Sequence, residues 1–435
     1  MKKEKSGKIA SVIKGIRFKS FFWNAAYSGF NACQSAVILF FVARSMSLIE
    51  AGIISIGFAI ANLASLIGRY GIRSYQVTDT QEQYTFSDYF HCRIVTCVMT
   101  AVVFSVYLAA CAASGSYTSE KSAVILEIVI LKLVDAFEGV YVGRLQQKGR
   151  LDQGAFIASF RLIVSTISIC LCIFLGIRIT ISFAVGIAFS VLADAVLLPL
   201  TSTVGEYSIG KIDTEKIKNL IVVTFPLCAG TALHNYLGNA PKYLVDRFMN
   251  DDMQAIVGYV MMPMFVITLL NSFIMHPLVK ELGDAWNSGN VLKFKKMCRR
   301  HIAIIGGFTL LVVLAGWIAG IPLLSLMYKV DLSGYGKEFL LFMAGGMFFT
   351  MTTYLDVILT TVRKLSVNMI GCIGALAVYL LAGGFFISSG GIMGASILYT
   401  AVNAAMVVFF AIYVSVVIYK AEANIKNQSK ENRKC

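Results

Sequence analysis

Apolar stretches long enough to cross a bilayer recur twelve times along this chain, each separated from the next by a short polar or charged segment. The hydrocarbon core of a membrane is about 30 Å thick, and roughly 20 helical residues cross it. The pattern predicts spans at 20–43, 50–70, 89–112, 122–143, 154–175, 179–202, 217–238, 255–279, 301–321, 338–361, 366–387 and 392–419. Over 217–254, Pro226 and Pro241 predict a bend or a break, because proline removes a helical hydrogen bond. The connections are short, so the chain is expected to hold no soluble domain between its spans.

Polar positions inside the spans fall on helical faces. Span 1 carries Asn24, Ser28, Asn31 and Ser35, spaced 4, 3, 4, and span 7 carries Asn235, Asn239, Lys242 and Asp246 at the same spacing. Span 2 adds Ser55, Asn62, Ser65 and Arg69, and span 8 adds Thr268 and Asn271. Such residues are costly in hydrocarbon and need a reason to be there. Two reasons are open: they line a hydrated cavity, or they bond one helix to the next.

A second group is charged. Span 4 holds Glu127, Lys132, Asp135 and Glu138, while Arg93, Arg161 and Asp194 lie in spans 3, 5 and 6. At roughly 1.5 Å per residue, Glu138 sits about 9 Å deep, Asp135 about 13 Å, Arg161 about 10 Å and Arg93 about 6 Å. These charges can therefore meet at one level, and buried charges persist when paired. Asp135 or Glu138 is expected to pair with Arg161 or Arg93. The group reads either as a structural ion-pair lattice or as a path for protons or substrate.

A mean hydropathy of +0.74 and an apolar fraction of 57% exclude an ordinary soluble domain. The net charge of +14 would suit a nucleic-acid binder, but its distribution argues against one. With the N-terminus placed in the cytoplasm, 28 of the 38 basic residues fall on that side, 7 on the other and 3 inside spans. Basic residues accumulate on the cytoplasmic side of short loops, so both termini are expected there, and no nucleic-acid partner is called for. Ten cysteines occur without a Cys-x-x-Cys pair, which supports neither a metal site nor a disulfide framework. No phosphate-binding loop or other catalytic signature is present, so the chain is not expected to be an enzyme and calls for no cofactor.

The two halves resemble each other. Gly52, opening span 2, and Gly258, opening span 8, stand 206 residues apart, with six spans on either side of residue 205. Many transporters consist of two related halves with the site between them. The chain divides by this reading into a basic N-terminus (1–19), spans 1–6 (20–204), a linker (205–216), spans 7–12 (217–419) and a basic tail (420–435).

Several segments, in order, carry a family resemblance. They are Gly68-Arg69-Tyr70-Gly71-Ile72-Arg73-Ser74-Tyr75-Gln76-Val77-Thr78-Asp79, Tyr89-Phe90-His91-Cys92-Arg93, Asp135-Ala136-Phe137-Glu138 with Gly149-Arg150-Leu151-Asp152, and Asn239-Ala240-Pro241-Lys242-Tyr243-Leu244-Val245-Asp246. Over nearly its whole length the chain resembles the Wzx-type polysaccharide flippases (O-antigen, capsule or teichoic type) of Gram-positive bacteria. These belong to the multidrug/oligosaccharidyl-lipid/polysaccharide export superfamily. The resemblance implies an all-α polytopic membrane protein of about twelve transmembrane helices. Its two six-helix lobes would form a V around a central cavity and work by alternating access.

It also implies a bacterial cytoplasmic membrane location and a lipid-linked oligosaccharide as cargo, carried on undecaprenyl diphosphate. The lipid bilayer and other polysaccharide-assembly membrane proteins are the implied partners. Asn24, Asn31, Asn62, Asn235 and Asn239 would then bond sugars, and Lys242, Arg69 and Arg44 would attract the diphosphate. A multidrug cation antiporter of the same superfamily would need a carboxylate in its cavity, and spans 1 and 2 offer only Glu50 at their edge. A membrane-embedded polysaccharide polymerase or ligase would need a large external loop with catalytic Arg or His. A lipid II flippase would be expected to have fourteen spans.

The orientation is directly testable. A reporter active only outside the cytoplasm should be silent when fused after Cys435 and active when inserted in 114–119. Either result reversed would refute the charge-based topology.

Overall fold

The computed structural model describes the backbone of residues 2–79, 82–201 and 207–431. The side chains of 2–18, 20, 21, 265, 269–280, 365 and 424–431 lie outside that description, and Asn271 with them. Every described element is helical: α1 (Lys2–Ser45), α2 (Leu48–Arg69), α3 (Ile72–Thr78), α4 (Phe86–Ala113), α5 (Ser119–Gln147), α6 (Leu151–Phe174), α7 (Ile179–Thr201), α8 (Thr214–Phe248), α9 (Asp251–Val260), α10 (Met262–Asn287), α11 (Val291–Tyr328), α12 (Gly336–Thr361) and α13 (Leu365–Glu431), with a 3-10 turn at Ser333–Tyr335.

Nine segments among the described residues are long and apolar enough to span a membrane. One of them, Ser366–Ala423, has 58 residues and covers two predicted spans. The charges of α5 keep it from qualifying by hydropathy, although its 29 residues are long enough to cross. Together with α9–α10 this accounts for the twelve-span reading. Pro226 and Pro241 do not interrupt α8, which runs unbroken from Thr214 to Phe248.

Helix starts follow local sequence. Ser47 and Glu50 form a capping box: the Ser47 amide donates to Glu50 Oε2 at 2.6 Å, and the Glu50 amide donates to Ser47 Oγ at 3.4 Å. Glu50 therefore serves as a cap at the start of α2. Thr85 and Asp88 repeat the device at α4. Between α3 and α4, Glu82 accepts from Lys148 at 2.9 Å and from Arg144 at 3.0 Å, tying this connection to the end of α5. These bonds, that from Lys148 foremost, hold the Glu82 carboxyl below its ordinary range. The tie is thus present at neutral pH and is lost as pH falls through that lowered range.

The chain forms two compact units, Met1–Asn235 and Tyr236–Cys435. The sequence places its linker earlier, at 205–216. The first half of α8 goes with the first unit because Ile217 and Leu220 pack into a cluster with Ile72, Phe86, Tyr89 and Val140. In this unit α1 lies along α6 and α2 along α5, and α5 also touches α3, α4, α6 and α7. Small residues bring these helices close, as expected in a membrane. A methyl at Gly57 would stand 2.6 Å from Ile128, and one at Gly68 would stand 2.7 Å from Leu133. In the second unit α12 packs on α10, α11 and α13.

The division of α13 into two spans rests on glycine. Gly391 adopts φ 54, ψ −132, outside helical geometry and outside the range a side chain readily tolerates. One turn later, a Cβ on Gly394 would fall on the Phe386 carbonyl, whereas one on Gly390 would meet open space. Gly394→Ala and Gly391→Ala should therefore lower the thermal midpoint of the purified protein, each costing on the order of 1–3 kcal/mol. Gly390→Ala should melt with the wild type. Equal midpoints for all three variants would refute the kink.

Candidate functional site

The charged residues of the first unit assemble around α5. Lys132 Nζ donates to Gln34 Oε1 at 2.6 Å and to Asn31 Oδ1 and Asp135 Oδ2 at 3.2 Å each, linking α5 to α1. Gln34 passes the contact on to Thr166 of α6 at 3.1 Å. One turn nearer the Arg144 end of α5, Arg161 of α6 contacts Asp135 through Nη1 and Glu138 Oε2 at 2.9 Å, both on α5. It also donates to Ser190 Oγ at 3.0 Å and lies 3.6 Å from Asp194 Oδ1, both on α7. Arg161 is fully buried. The pairing expected from helical depth between Arg161 and the Asp135/Glu138 pair is present.

Arg93, the other partner that the depths allowed, bonds elsewhere. Its Nη1 donates to the Gly68 carbonyl at 2.9 Å, at the end of α2. Its Nε and Nη2 have no hydrogen-bond partner among the described residues, although the side chain is fully buried. Arg93 lines a small polar cavity of about 30 Å³, whose wall also includes Asn24, Tyr27, Arg69 and Arg73 together with Asp135 and Glu138. That volume holds little more than a water molecule.

The turn after α2 explains how two of these arginines arrive there. Tyr70 (φ 49) and Gly71 (φ 69) are both left-handed, so the chain reverses between Arg69 and Arg73. Gly71 has no room for a side chain, since a Cβ would stand 2.7 Å from Leu227. Arg69 Nη2 lies 3.5 Å from the Tyr27 hydroxyl, and Arg73 donates to Gln146 Oε1 at 2.9 Å.

The charges do not balance locally. Lys132 and Arg161 face Asp135, Glu138 and Asp194, and Arg69, Arg73 and Arg93 then add an excess of positive charge. The three carboxylates all contact Arg161, and Asp135 contacts Lys132 as well. The arginines of the cavity wall bond neutral groups: a phenol, a side-chain amide and a backbone carbonyl.

The other predicted positions are placed as follows. Asn24 lines the cavity, and Asn31 belongs to the Lys132 group. Asn62 is half-buried on α2. Arg44 is exposed at the end of α1, stacked on Phe40 at 4.6 Å. Asn235 is the last residue of the first unit; Asn239 and Lys242 are buried in the second. Sequence reasoning missed Arg73 as a wall residue. The Arg69-x-x-x-Arg73 spacing was the available signal. It missed as well the buried contact between His301 and the Tyr354 hydroxyl at 3.0 Å in the second unit.

No protein-family model and no curated protein matches this sequence. Solved structures do. The chain is similar to an inward-facing multidrug resistance MATE family transporter of the MOP superfamily, with a TM-score of 0.68, 12% identity, and coverage of 90% of this chain and 96% of that one. It is similar to the lipid II flippase MurJ in an inward closed conformation, at 0.67, 11%, 94% and 90%. The eukaryotic MATE transporter AtDTX14 follows at 0.63, 14%, 95% and 98%. At these identities the likeness is one of fold. The chain is a multi-pass membrane protein with the helical fold of these transporters.

The Arg161 cluster makes a measurable prediction. Arg161→Ala leaves three acidic side chains without their shared partner, a loss of about 3–5 kcal/mol for a fully buried pair. Membrane abundance should fall steeply. Asp135→Asn combined with Arg161→Gln should recover part of it. An Arg161→Ala protein as abundant as wild type would show that the cluster does not hold the unit together.

Proposed function

We propose that this chain is a transporter that moves a lipid-linked oligosaccharide, a repeat unit on undecaprenyl diphosphate, across the bacterial cytoplasmic membrane by alternating access. The observation that carries the reading is the excess of guanidinium over carboxylate at the polar cavity of the first unit. Arg69, Arg73 and Arg93 stand there with Asn24 and Tyr27 beside them. A diphosphate is the partner that such a wall favours, because guanidinium groups bind phosphate oxygens with paired, charge-assisted bonds. At about 30 Å³ the cavity is too small for a diphosphate as it stands, so its arginines would meet the anionic head only as the cavity opens during transport, while the bulk of the cargo lies elsewhere. Asparagine and tyrosine groups suit the hydroxyls of a sugar. Lys242, and more weakly Arg44, are assigned to the same cargo.

The fold is shared with a lipid II flippase and with multidrug transporters, which keeps a cation antiporter as the second reading. The placement of the carboxylates weighs against it. Asp135 and Glu138 are held by Arg161, and Glu50 caps α2. A polymerase or ligase is disfavoured by the short connections between spans.

The test is complementation of a polysaccharide-negative strain, with membrane abundance measured in parallel. Arg69→Gln should lower surface polysaccharide about tenfold or more, the scale of one charged hydrogen bond, at normal abundance. Lys242→Arg should keep much of the activity, Lys242→Gln should lose most and Lys242→Glu nearly all. Full complementation by Lys242→Glu at normal abundance would remove that residue from the site. Efflux of cationic dyes that depends on this protein, without polysaccharide export, would establish the antiporter instead.

A further inference from the structure

The first unit carries a second cavity that the proposed transport does not use. Helices α4, α5 and α7 enclose a groove of about 660 Å³, walled by apolar side chains including Ala101, Leu133 and Ala195. Of its lining, Val98, Ile130 and Val191 are exposed, the first and last of them on helices long and apolar enough to span a membrane. Asp194 is the one charged residue in its lining, and that carboxylate is turned to Arg161. Along α7 the groove runs from Val191 to Pro199, a rise of about 12 Å. The hydrocarbon of one leaflet is about 15 Å deep, half of the whole core.

The groove ends among Tyr141, Leu198, Pro199 and Tyr207. The Tyr207 hydroxyl lies 3.3 Å from Thr201 Oγ1, and the Thr201 carbonyl accepts from Arg150 Nη2 at 2.6 Å. Beyond Tyr207 the Gly210 amide donates to Ser87 Oγ at 2.9 Å, which fixes the chain against the start of α4 just before the exposed Lys211. A guanidinium thus stands at the mouth, and the exposed Lys211 follows Tyr207 four residues later in the chain. Below them lies a leaflet-deep apolar slot.

We infer that this groove is a binding site for an anionic phospholipid of the leaflet on that side, its acyl chain in the slot and its phosphate at the Arg150 and Lys211 rim. The match is one of charge and depth together. An apolar slot alone would take any lipid, but a basic rim at headgroup level selects the anionic ones, and basic pockets between membrane helices are a known way of binding such headgroups. The site is separate from the arginine cavity, so its occupancy can be read without any transport assay.

The experiment uses the purified full-length protein and native mass spectrometry after exposure to equal amounts of phosphatidylglycerol and phosphatidylcholine. Wild type should retain phosphatidylglycerol preferentially. Arg150→Gln and Lys211→Gln should each weaken that retention about fivefold, the effect of roughly one surface charge, and Arg150→Lys should restore it. Ala101→Trp should abolish retention by filling the slot. Thermal midpoints measured on the same samples separate loss of binding from loss of fold, and Lys211→Gln, on an exposed position, remains informative if a groove variant misfolds. Equal retention of the two lipids would overturn the inference, as would full retention by the Arg150→Gln/Lys211→Gln double variant. Displacement of phosphatidylglycerol by an equimolar polyprenyl phosphate would also overturn it, by assigning the slot to the cargo.

Discussion

A charge in hydrocarbon needs its counter-charge within reach, and in the first unit one side chain meets that need for three others. Arg161 touches acidic groups on α5 and α7 from its own place on α6. Lys132 extends the arrangement to α1 through Asn31 and Gln34. The α1–α6, α2–α5 and α6–α7 packings are made by apolar and small residues, but those surfaces are nearly as apolar as lipid and carry little preference for one register. The ionic contacts carry that preference, since a slip of one helical turn would separate Arg161 from its partners by about 5.4 Å.

The spans were legible because their signal is a length, and length is set by the bilayer. The depth argument worked for the same reason: helical rise is constant, so Asp135, Glu138 and Arg161 could be brought level on paper before any packing was known. Arg93 was at a plausible depth too, yet it bonds the Gly68 carbonyl. That acceptor exists because α2 ends in two left-handed residues and leaves its last carbonyls open. The same turn brings Arg73 back to the cavity, where the sequence reads it as an ordinary loop charge. Periodicity placed Asn24 and Asn31 on one face of α1, but it could not say which neighbour that face meets. The answer, α5 with its lysine, is a tertiary fact. The boundary between units was hidden for a similar reason: Ile217 and Leu220 choose their cluster through contacts remote in sequence.

Two kinds of cationic group can now be told apart in one small volume. Arg161 and Lys132 are bound to carboxylates and act as fasteners. Arg69, Arg73 and Arg93 reach only a phenol, an amide oxygen and a backbone carbonyl in the bonds described above. Neutral acceptors hold a guanidinium more weakly than ions do. The second group is therefore the one whose energy would change most on meeting an anion, while the first keeps the scaffold in place. Separating the two roles would let an anion bind without loosening the helices around it.

The composition of α5 has a consequence for how the protein is made. This helix lies at the centre of its unit and carries Glu127, Lys132, Asp135 and Glu138 in its interior. Charged residues near the middle of a span cost about 2.5–3.5 kcal/mol each on insertion scales, far more than its apolar residues recover singly. Such a segment is poorly suited to leave the translocation machinery alone. Lys132 finds partners on α1, which is synthesised earlier, but Arg161 emerges only with α6. Stable residence of α5 in the membrane must therefore wait for the helix that follows it, and the early spans of this protein enter the bilayer as a cooperative group.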